Sequence, residues 1–371
     1  MNSSATEADQ REFLLIEALR GFAALLVVYT HFWALSPGSP SLLRFAHTGV
    51  DLFFVLSGYV FGPYFFGKPI GTANNFNGTL AFWTRRFFRI YPLYVLALCV
   101  YFAEKAINKQ DLLYVVEHLS FTFLQSKAMA FYYNPPFWSL PSEISFYLVL
   151  PCLVWLLQQA HSIMRRRITL AIVLVLALSS RIFLGLCADY EKENQAFILL
   201  HHLPGLAIEF IIGALLWAWV RRSDQLVLWP AVLGIAAWLV LAQRFASVGD
   251  AGIQASILKG QLGGLAALCY ACLMASCIRW VRSAHGESVF KADFFISLCQ
   301  WAGKLSYGTY LFHIAALRAA QAFLIELQMA DLPSPEWLAL CLTLLIAFLA
   351  HRFWEDPCRS LGRRLGKAIQ A

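Results

Sequence analysis

The sequence predicts an all-α polytopic membrane protein, and three observations carry the prediction. Apolar runs long enough to cross a bilayer recur along nearly all of the 371 residues, 59% of the residues are hydrophobic, and only 14% are charged. Ordinary soluble domains carry about 25% charged residues, so a soluble enzyme is excluded. Disorder is excluded as well, because unfolded segments are poor in aromatic residues and 15% of this chain is Phe, Trp or Tyr. At about 150 residues per domain a soluble chain of this length makes two domains. Successive spans of about 20 apolar residues joined by short loops predict one membrane domain instead.

Ten helices are expected, near residues 13–35, 48–66, 88–104, 143–160, 168–187, 203–220, 226–243, 257–278, 304–328 and 336–354. Each is long enough for about 30 Å of hydrocarbon. The stretch from Asp111 to Gln125 alternates apolar pairs with polar residues and is read as lying in the interface, within the longest loop, about 105–142. With the N-terminus inside, segments on the cytoplasmic side hold 19 Lys and Arg and those on the outer side hold six. Basic loops resist translocation, so both termini are expected in the cytoplasm. The organisation that follows is a cytoplasmic tail over 1–12, an integral membrane domain over 13–356 and a basic cytoplasmic tail over 357–371.

The net charge of +7 is therefore a topology signal whose partner is the lipid bilayer, with no nucleic acid needed to explain it. The polar, acidic start MNSSATEADQRE lacks the basic n-region of a cleavable signal peptide. The nine cysteines are scattered, mostly in apolar runs, and read as small hydrophobic residues. Cys269 and Cys272 form a C-x-x-C, but no second pair stands at zinc spacing, and no metal site is expected.

An ionisable side chain inside a span costs about 2.5 to 3.5 kcal/mol on insertion scales, which makes each one a functional candidate. Arg20 and His31 of the first span are eleven residues apart; a rotation of about 1100° puts them on one face, about 16 Å apart along the axis. In one reading Arg20 snorkels to the cytoplasmic headgroups and His31 satisfies a bundle contact. In the other they line a path with a cation below and, above it, an imidazole able to take a proton from a hydroxyl near neutral pH. Asp51, in HTGVDLFFVLSGYVFG, is either a helix-start acid favoured by the macrodipole or a buried acid partnered by His31, His47 or an outer-loop base.

The segment FWTRRFFRIYPLY sets Arg85, Arg86 and Arg89 just before the third span on the cytoplasmic side. They serve either as a positive-inside anchor or as a bidentate phosphate clamp. Glu143, in PPFWSLPSEISFY, opens the fourth span at its outer end, as a helix cap or as a carboxylate that orients His31 or binds an acceptor. KLSYGTYLFHI puts Ser306, Tyr310 and His313 on one polar stripe, and RFWEDPCR puts Glu355 at the inner end of the last span. Phe131, Tyr132, Tyr133, Phe137 and Trp138 form either a sugar-stacking surface or an interfacial aromatic belt. Glu209, beyond Pro204 in the sixth span, has no assigned role.

Taken together, Arg20 and His31 as R-x10-H, GVDLFFVLSGY, RRFFRIYP, FWSLPSE, LSYGTYLFH and WEDP resemble the membrane acyltransferase 3 family. This is the group of O-acetylases acting on lipopolysaccharide, peptidoglycan, exopolysaccharides, Nod factors and some antibiotics. The resemblance runs from about Leu15 to Arg359, with the six motifs in the family's order. Ser142 stands where the family often has Val. The resemblance implies an O-acyltransferase of the bacterial inner membrane, in the stand-alone form without an appended hydrolase-like domain. Acyl-CoA, usually acetyl-CoA, would be the co-substrate, with no permanently bound cofactor, and a glycan or glycolipid hydroxyl the acceptor.

Arg20 and His31 match the family's essential pair, Glu143 its conserved acid, and Arg85, Arg86 and Arg89 its cytoplasmic basic motif, where the phosphates of CoA are expected. Asp51 completes the catalytic candidates, and Tyr133, Trp138, Tyr310 and His313 are secondary candidates for binding the acceptor. The competing class is a transporter or flippase, in which the same charges line a route with no acyl transfer.

Overall fold

The computed structural model describes residues 2–34, 41–68, 70, 76–159, 163–189, 192–222, 225–247, 253–283, 293–327 and 335–370. Lys291, counted among the inner charges, lies outside them, as do the side chains of Arg165, Arg166 and Arg167. The long helices in chain order are α1 (Asn2–Tyr29), α2 (Gly49–Phe65), α3 (Phe76–Ile107), α4 (Ser139–Gln158), α5 (Ile163–Cys187), α6 (Leu203–Val220), α7 (Trp229–Ser247), α8 (Ile253–Arg282), α9 (Asp293–Glu326) and α10 (Pro335–Ala350). A further helix, α11 (Asp356–Gln370), follows α10 through a π turn at His351–Glu355. Each of α1 to α10 overlies one expected span, and no β-strand occurs among the described residues.

Nine helices among the described residues are long and apolar enough to cross a membrane. The exception, α9, has ample length at 34 residues but carries Lys304 and Arg318 within it. The protein is an all-α, multi-pass membrane protein. Three helices begin well before the expected span: α1 at residue 2, α3 at 76 and α9 at 293. Hydropathy detects only the stretch that lipid can solvate, whereas a polar extension stays helical when its side chains find partners. Residues 2–12, expected as a tail, are the first turns of α1, and residues 356–370, expected as a second tail, form α11.

The described chain falls into two compact units, each assembled from three stretches. The first comprises Met1–Phe66, Ala177–Ala188 and Leu206–Tyr307. In it, α2 and α6 approach backbone to backbone: Gly58 faces the Phe210 carbonyl, and Gly213 faces the Val55 carbonyl. Without a hydrophobic drive between helices in lipid, such small-residue contacts are what let helices pack closely. At the start of α1, Glu12 is buried and fully engaged. Its Oε1 accepts from the Tyr59 hydroxyl at 2.6 Å and Arg221 at 2.8 Å, and its Oε2 from Arg282 at 2.5 Å.

The second unit comprises Gly67–Leu176, Asp189–Gly205 and Gly308–Ala371. Here α11 lies along the first half of α3, with Gly362 against Phe88 and Gly366 against Arg85 and the Ala81 carbonyl. Trp354 Nε1 donates to the Pro92 carbonyl at 2.9 Å. In the π turn, Glu355 accepts from His351 Nδ1 at 3.0 Å and from Arg359 at 3.3 Å.

The stretch from Asp111 to Gln125 is the one expected to lie in the interface. It forms short helical pieces that fold back on α3, where Tyr94 donates to the His118 carbonyl at 3.0 Å and Tyr91 to the Leu119 carbonyl at 3.2 Å. Those tyrosines stand 13 and 16 residues before the end of α3, about 20 Å back along its axis. The fold closes around His118, which is fully buried, stacks on Phe123 at 4.1 Å and donates from Nε2 to the Met129 carbonyl at 3.0 Å. Burial lowers the His118 pKa to about 4, against a smaller raising effect of the Met129 bond.

Candidate functional site

The expected site residues divide between the two units. The first holds Arg20, His31 and Asp51; the second holds Arg85, Arg86, Arg89 and Glu143.

His31 stands in a π turn, Thr30–Ala34, that continues α1. Such turns are rare and concentrate at functional sites. Its Nδ1 lies 2.8 Å from the Val27 carbonyl, so that nitrogen carries the proton and the neutral ring keeps its lone pair on Nε2. A backbone carbonyl therefore fixes the tautomer, a task the sequence reading gave to Glu143 or Asp51. Arg20 is bonded to Glu17, with Nη1 2.9 Å from Oε1. Glu17 in turn packs against Gly303, as Gly21 packs against Ala302. Glu17 was overlooked by the sequence reading, although its i, i+3 spacing from Arg20 is the ordinary signal of a helical ion pair.

Asp51 sits buried in the first turn of α2. The groups that meet it at Gly263 are Glu209 of α6 and Arg181 of α5, neither of which sequence reasoning had assigned. His47 is exposed, and its Nδ1 lies 2.8 Å from the Arg44 carbonyl.

In the second unit the three arginines lie within α3, nine to thirteen residues past its start at Phe76, about 14 to 20 Å along the axis. Arg85 and Arg86, 100° apart on the helix, point to different neighbours, whereas Arg89 is only about 40° round from Arg85. Arg85 lies under Gly366 of α11. The Arg86 guanidinium lies 5.5 Å from the Phe82 ring centroid and 5.7 Å from that of Tyr147. Tyr147 also donates its hydroxyl to Glu143, and its carbonyl accepts from Trp83 Nε1 at 3.0 Å. One ring thus joins the acid of α4 to the basic run of α3. Beside it lies an apolar cavity of about 290 Å³ bounded by Trp83, Arg86, Phe87, Tyr91, Phe121 and Tyr147.

Three of the four secondary candidates are interior groups. Tyr133 is 1% exposed, donates to the Leu113 carbonyl at 2.7 Å, and is pushed up to about 12 by burial, then by Tyr132 and Glu117. It offers no open face for a sugar. Tyr310 is buried with its hydroxyl 2.7 Å from Ser139 Oγ. His313 is fully buried, with Nδ1 shared between the carbonyls of Thr309 and Tyr310 at 3.2 and 3.0 Å. Trp138 is half-buried and stands edge-on to His201 at 4.5 Å.

Comparison with known proteins covers all of these residues. The family model described as an acyltransferase domain, that of acyltransferase 3, matches residues 13–352. O-acetyltransferase OatA of Staphylococcus aureus is 25% identical over 376 aligned positions, covering 94% of this chain and 57% of that protein. Peptidoglycan O-acetyltransferase OatA of Listeria monocytogenes is 26% identical over 380 positions, covering 94% and 56%. Protein 2 in picA locus of Rhizobium radiobacter is 37% identical over 101 residues, covering 26% of this chain and 47% of that one. The chain thus spans little more than half the length of the OatA proteins it matches. No solved structure matches it. With nearly the whole membrane region inside the matched range, the chain belongs to the acyltransferase 3 family.

Proposed function

We propose that the protein works in the bacterial inner membrane with both termini in the cytoplasm. It transfers an acetyl group from cytoplasmic acetyl-CoA to a hydroxyl of peptidoglycan or another surface polysaccharide on the far side. The observation that carries this reading is His31 in its π turn, held by the Val27 carbonyl at 2.8 Å so that Nε2 keeps the lone pair of a general base. The two OatA relatives are O-acetyltransferases, which suggests the acetyl group, and the Listeria protein is a peptidoglycan O-acetyltransferase, which suggests that class of acceptor. Family membership favours bond-making over the transporter reading.

In this mechanism His31 Nε2 takes the proton of the acceptor hydroxyl as its oxygen attacks the thioester carbonyl carbon. The carbon–sulfur bond breaks, and the imidazolium returns the proton to the departing thiolate, releasing CoA as the thiol and leaving an O-acetyl ester. Asp51 supplies negative charge that favours the imidazolium, Arg20, about three turns away along α1, meets phosphate charge of the donor, and Glu143 binds the acceptor. Arg85, Arg86 and Arg89 receive the phosphates of CoA. The cavity beside Arg86 and Tyr147 offers the apolar path that the pantetheine arm needs. Of the four secondary candidates, Trp138 is the one left half-exposed to contact a sugar.

The test is acetyl transfer by purified His31→Ala and Glu143→Gln protein, together with mass spectrometry of envelope glycans from cells with and without the gene. Loss of transfer in both variants, and an acetyl mass difference in the glycans, are expected. A parental rate in either variant rejects that residue's role.

A further inference from the structure

Three ionisable side chains from three helices of the first unit close on one glycine. A Cβ placed on Gly263 of α8 would lie 2.5 Å from Asp51 Oδ1, 3.0 Å from Arg181 Nη2 and closer still to Glu209 Oε1. Arg181 Nη1 is 3.8 Å from Glu209 Oε1, and Asp51, Arg181 and Glu209 are 9%, 4% and 0% exposed. The Asp51 and Glu209 carboxyls meet each other as hydrogen-bond partners, and no other donor among the described residues reaches a Glu209 oxygen within hydrogen-bond distance.

The same unit contains a carboxylate in an ordinary structural role, and the contrast is informative. Glu12 has three donors on its two oxygens, from Tyr59, Arg221 and Arg282. Buried polar groups are nearly always satisfied in this way, and the exceptions need a reason. A buried ion pair is a poor source of stability, because apolar packing of the same volume does as well or better. Around Gly263 two carboxyls compete for one guanidinium, and the glycine itself is what allows all three to approach.

We propose that Arg181 and Glu209 are positioning residues for Asp51, fixing the direction in which its carboxyl faces from the first turn of α2. Arg181 can align fully with one carboxyl at a time, so the place that Glu209 occupies decides where the Asp51 carboxyl rests. Gly263 is the spacer that sets the distance. This inference rests on the reading in which Asp51 takes part in acyl transfer.

The experiment uses the full chain in inverted membrane vesicles from cells that carry the gene. Labelled acetyl-CoA is added, and incorporation into the vesicles' own acceptor is followed. Glu209→Gln, Arg181→Lys and Gly263→Ala are each expected to lower kcat about tenfold or more while KM for acetyl-CoA stays within about twofold. Gly263→Ala removes no functional group, so its loss can come only through displacement of its neighbours. Gly263→Ala combined with Glu209→Asp is expected to regain part of the parental rate, at least about threefold over Gly263→Ala alone, because the shorter acid removes the tightest of the contacts the added methyl makes and gives the Asp51 carboxyl room to return.

Parental kcat in both Glu209→Gln and Gly263→Ala, with Asp51→Asn inactive, overturns the positioning role and leaves the role of Asp51 standing. Parental kcat in Asp51→Asn rejects the underlying reading. A rise in KM alone, or a fall in kcat matched by loss of folded protein without rescue by the double variant, also overturns the inference. If Gly263→Ala does not accumulate, the near-isosteric Glu209→Gln decides.

Discussion

The Tyr147 hydroxyl is bonded to the Glu143 carboxylate one turn earlier on α4, and the same ring faces the guanidinium of Arg86. The acid that opens α4 is thus tied to the basic run of α3 through a shared aromatic side chain. Tyr147→Phe keeps the ring and removes the only proton it offers Glu143. A hydrogen bond to a charged group is worth about 1.5 to 3 kcal/mol, so acetyl transfer is expected to fall about tenfold or more if that bond sets the geometry of Glu143. Tyr147→Leu removes the ring as well and is expected to raise KM for acetyl-CoA, which Tyr147→Phe is not. Steady-state kinetics on the purified variants separate the two effects.

Arg20 and Glu17 form a partly buried pair one turn apart. Breaking such a pair from one side leaves a charge uncompensated in the span, whereas removing both sides does not. Glu17→Gln is therefore expected to destabilise the protein by about 1 to 3 kcal/mol, and Glu17→Gln with Arg20→Gln by less than the two single changes added together. Thermal unfolding in detergent, run as a double-mutant cycle, measures the coupling.

His118 gives the folded-back segment a pH dependence. Its pKa falls from the ordinary 6.5 to about 4 in the folded protein, mainly through burial, so the unfolded segment binds the proton more readily. The stability this contributes is complete above pH 6.5 and is lost progressively as pH drops toward 4, by about 3 kcal/mol at the limit. The hydrogen-exchange protection factors across residues 111–134, each rate being referred to the amide's intrinsic rate at the same pH, are expected to fall over that window. In His118→Phe, which keeps the stack on Phe123 without the titrating ring, that fall is expected to disappear.

Gly58 and Gly213 let α2 and α6 touch along their backbones, and the obstructing atoms on both sides are main-chain carbonyls. Backbone cannot yield as a flexible side chain can, and overpacking a tight contact costs about 1 to 3 kcal/mol or more. Gly58→Ala and Gly213→Ala are each expected to lower the melting temperature. The less constrained Gly264→Ala, whose added methyl meets only Ile208 Cγ2 at 3.5 Å, is the control expected to leave it nearly unchanged.

The ten long helices were legible because lipid imposes a length and a composition that hydropathy reads directly. What hydropathy could not reach were helix extensions held by distant partners. Glu12 looks like part of a soluble tail until Arg221 and Arg282, more than 200 residues away, are found against it. Arg85, Arg86 and Arg89 looked like the flank of a span because the charges themselves interrupt the apolar run, although Leu80, Ala81, Phe82 and Trp83 carry the helix back before them. Within the candidate site, Arg20 and His31 share a helix and their spacing was readable, whereas Asp51, Arg181 and Glu209 come from three separate helices. The π turn that carries His31 has no signature in residue type. Tyr133 and Trp138 drew attention equally as aromatics, and only the fold-back of the segment around His118 distinguishes a buried ring from a half-exposed one.

The packing of α11 along α3 also bears on the order in which the protein is made. About 250 residues separate the end of α3 from the start of α11, and at about 5 to 20 residues per second a ribosome takes roughly 10 to 50 s to cover them. Throughout that interval the face of α3 around Ala81, Arg85 and Phe88 waits for Gly362 and Gly366. A half-made helix that displays arginines at membrane depth is a substrate for quality-control proteases and for the insertion machinery alike. Survival of the nascent chain therefore depends on how long that machinery shelters α3 before its partner emerges.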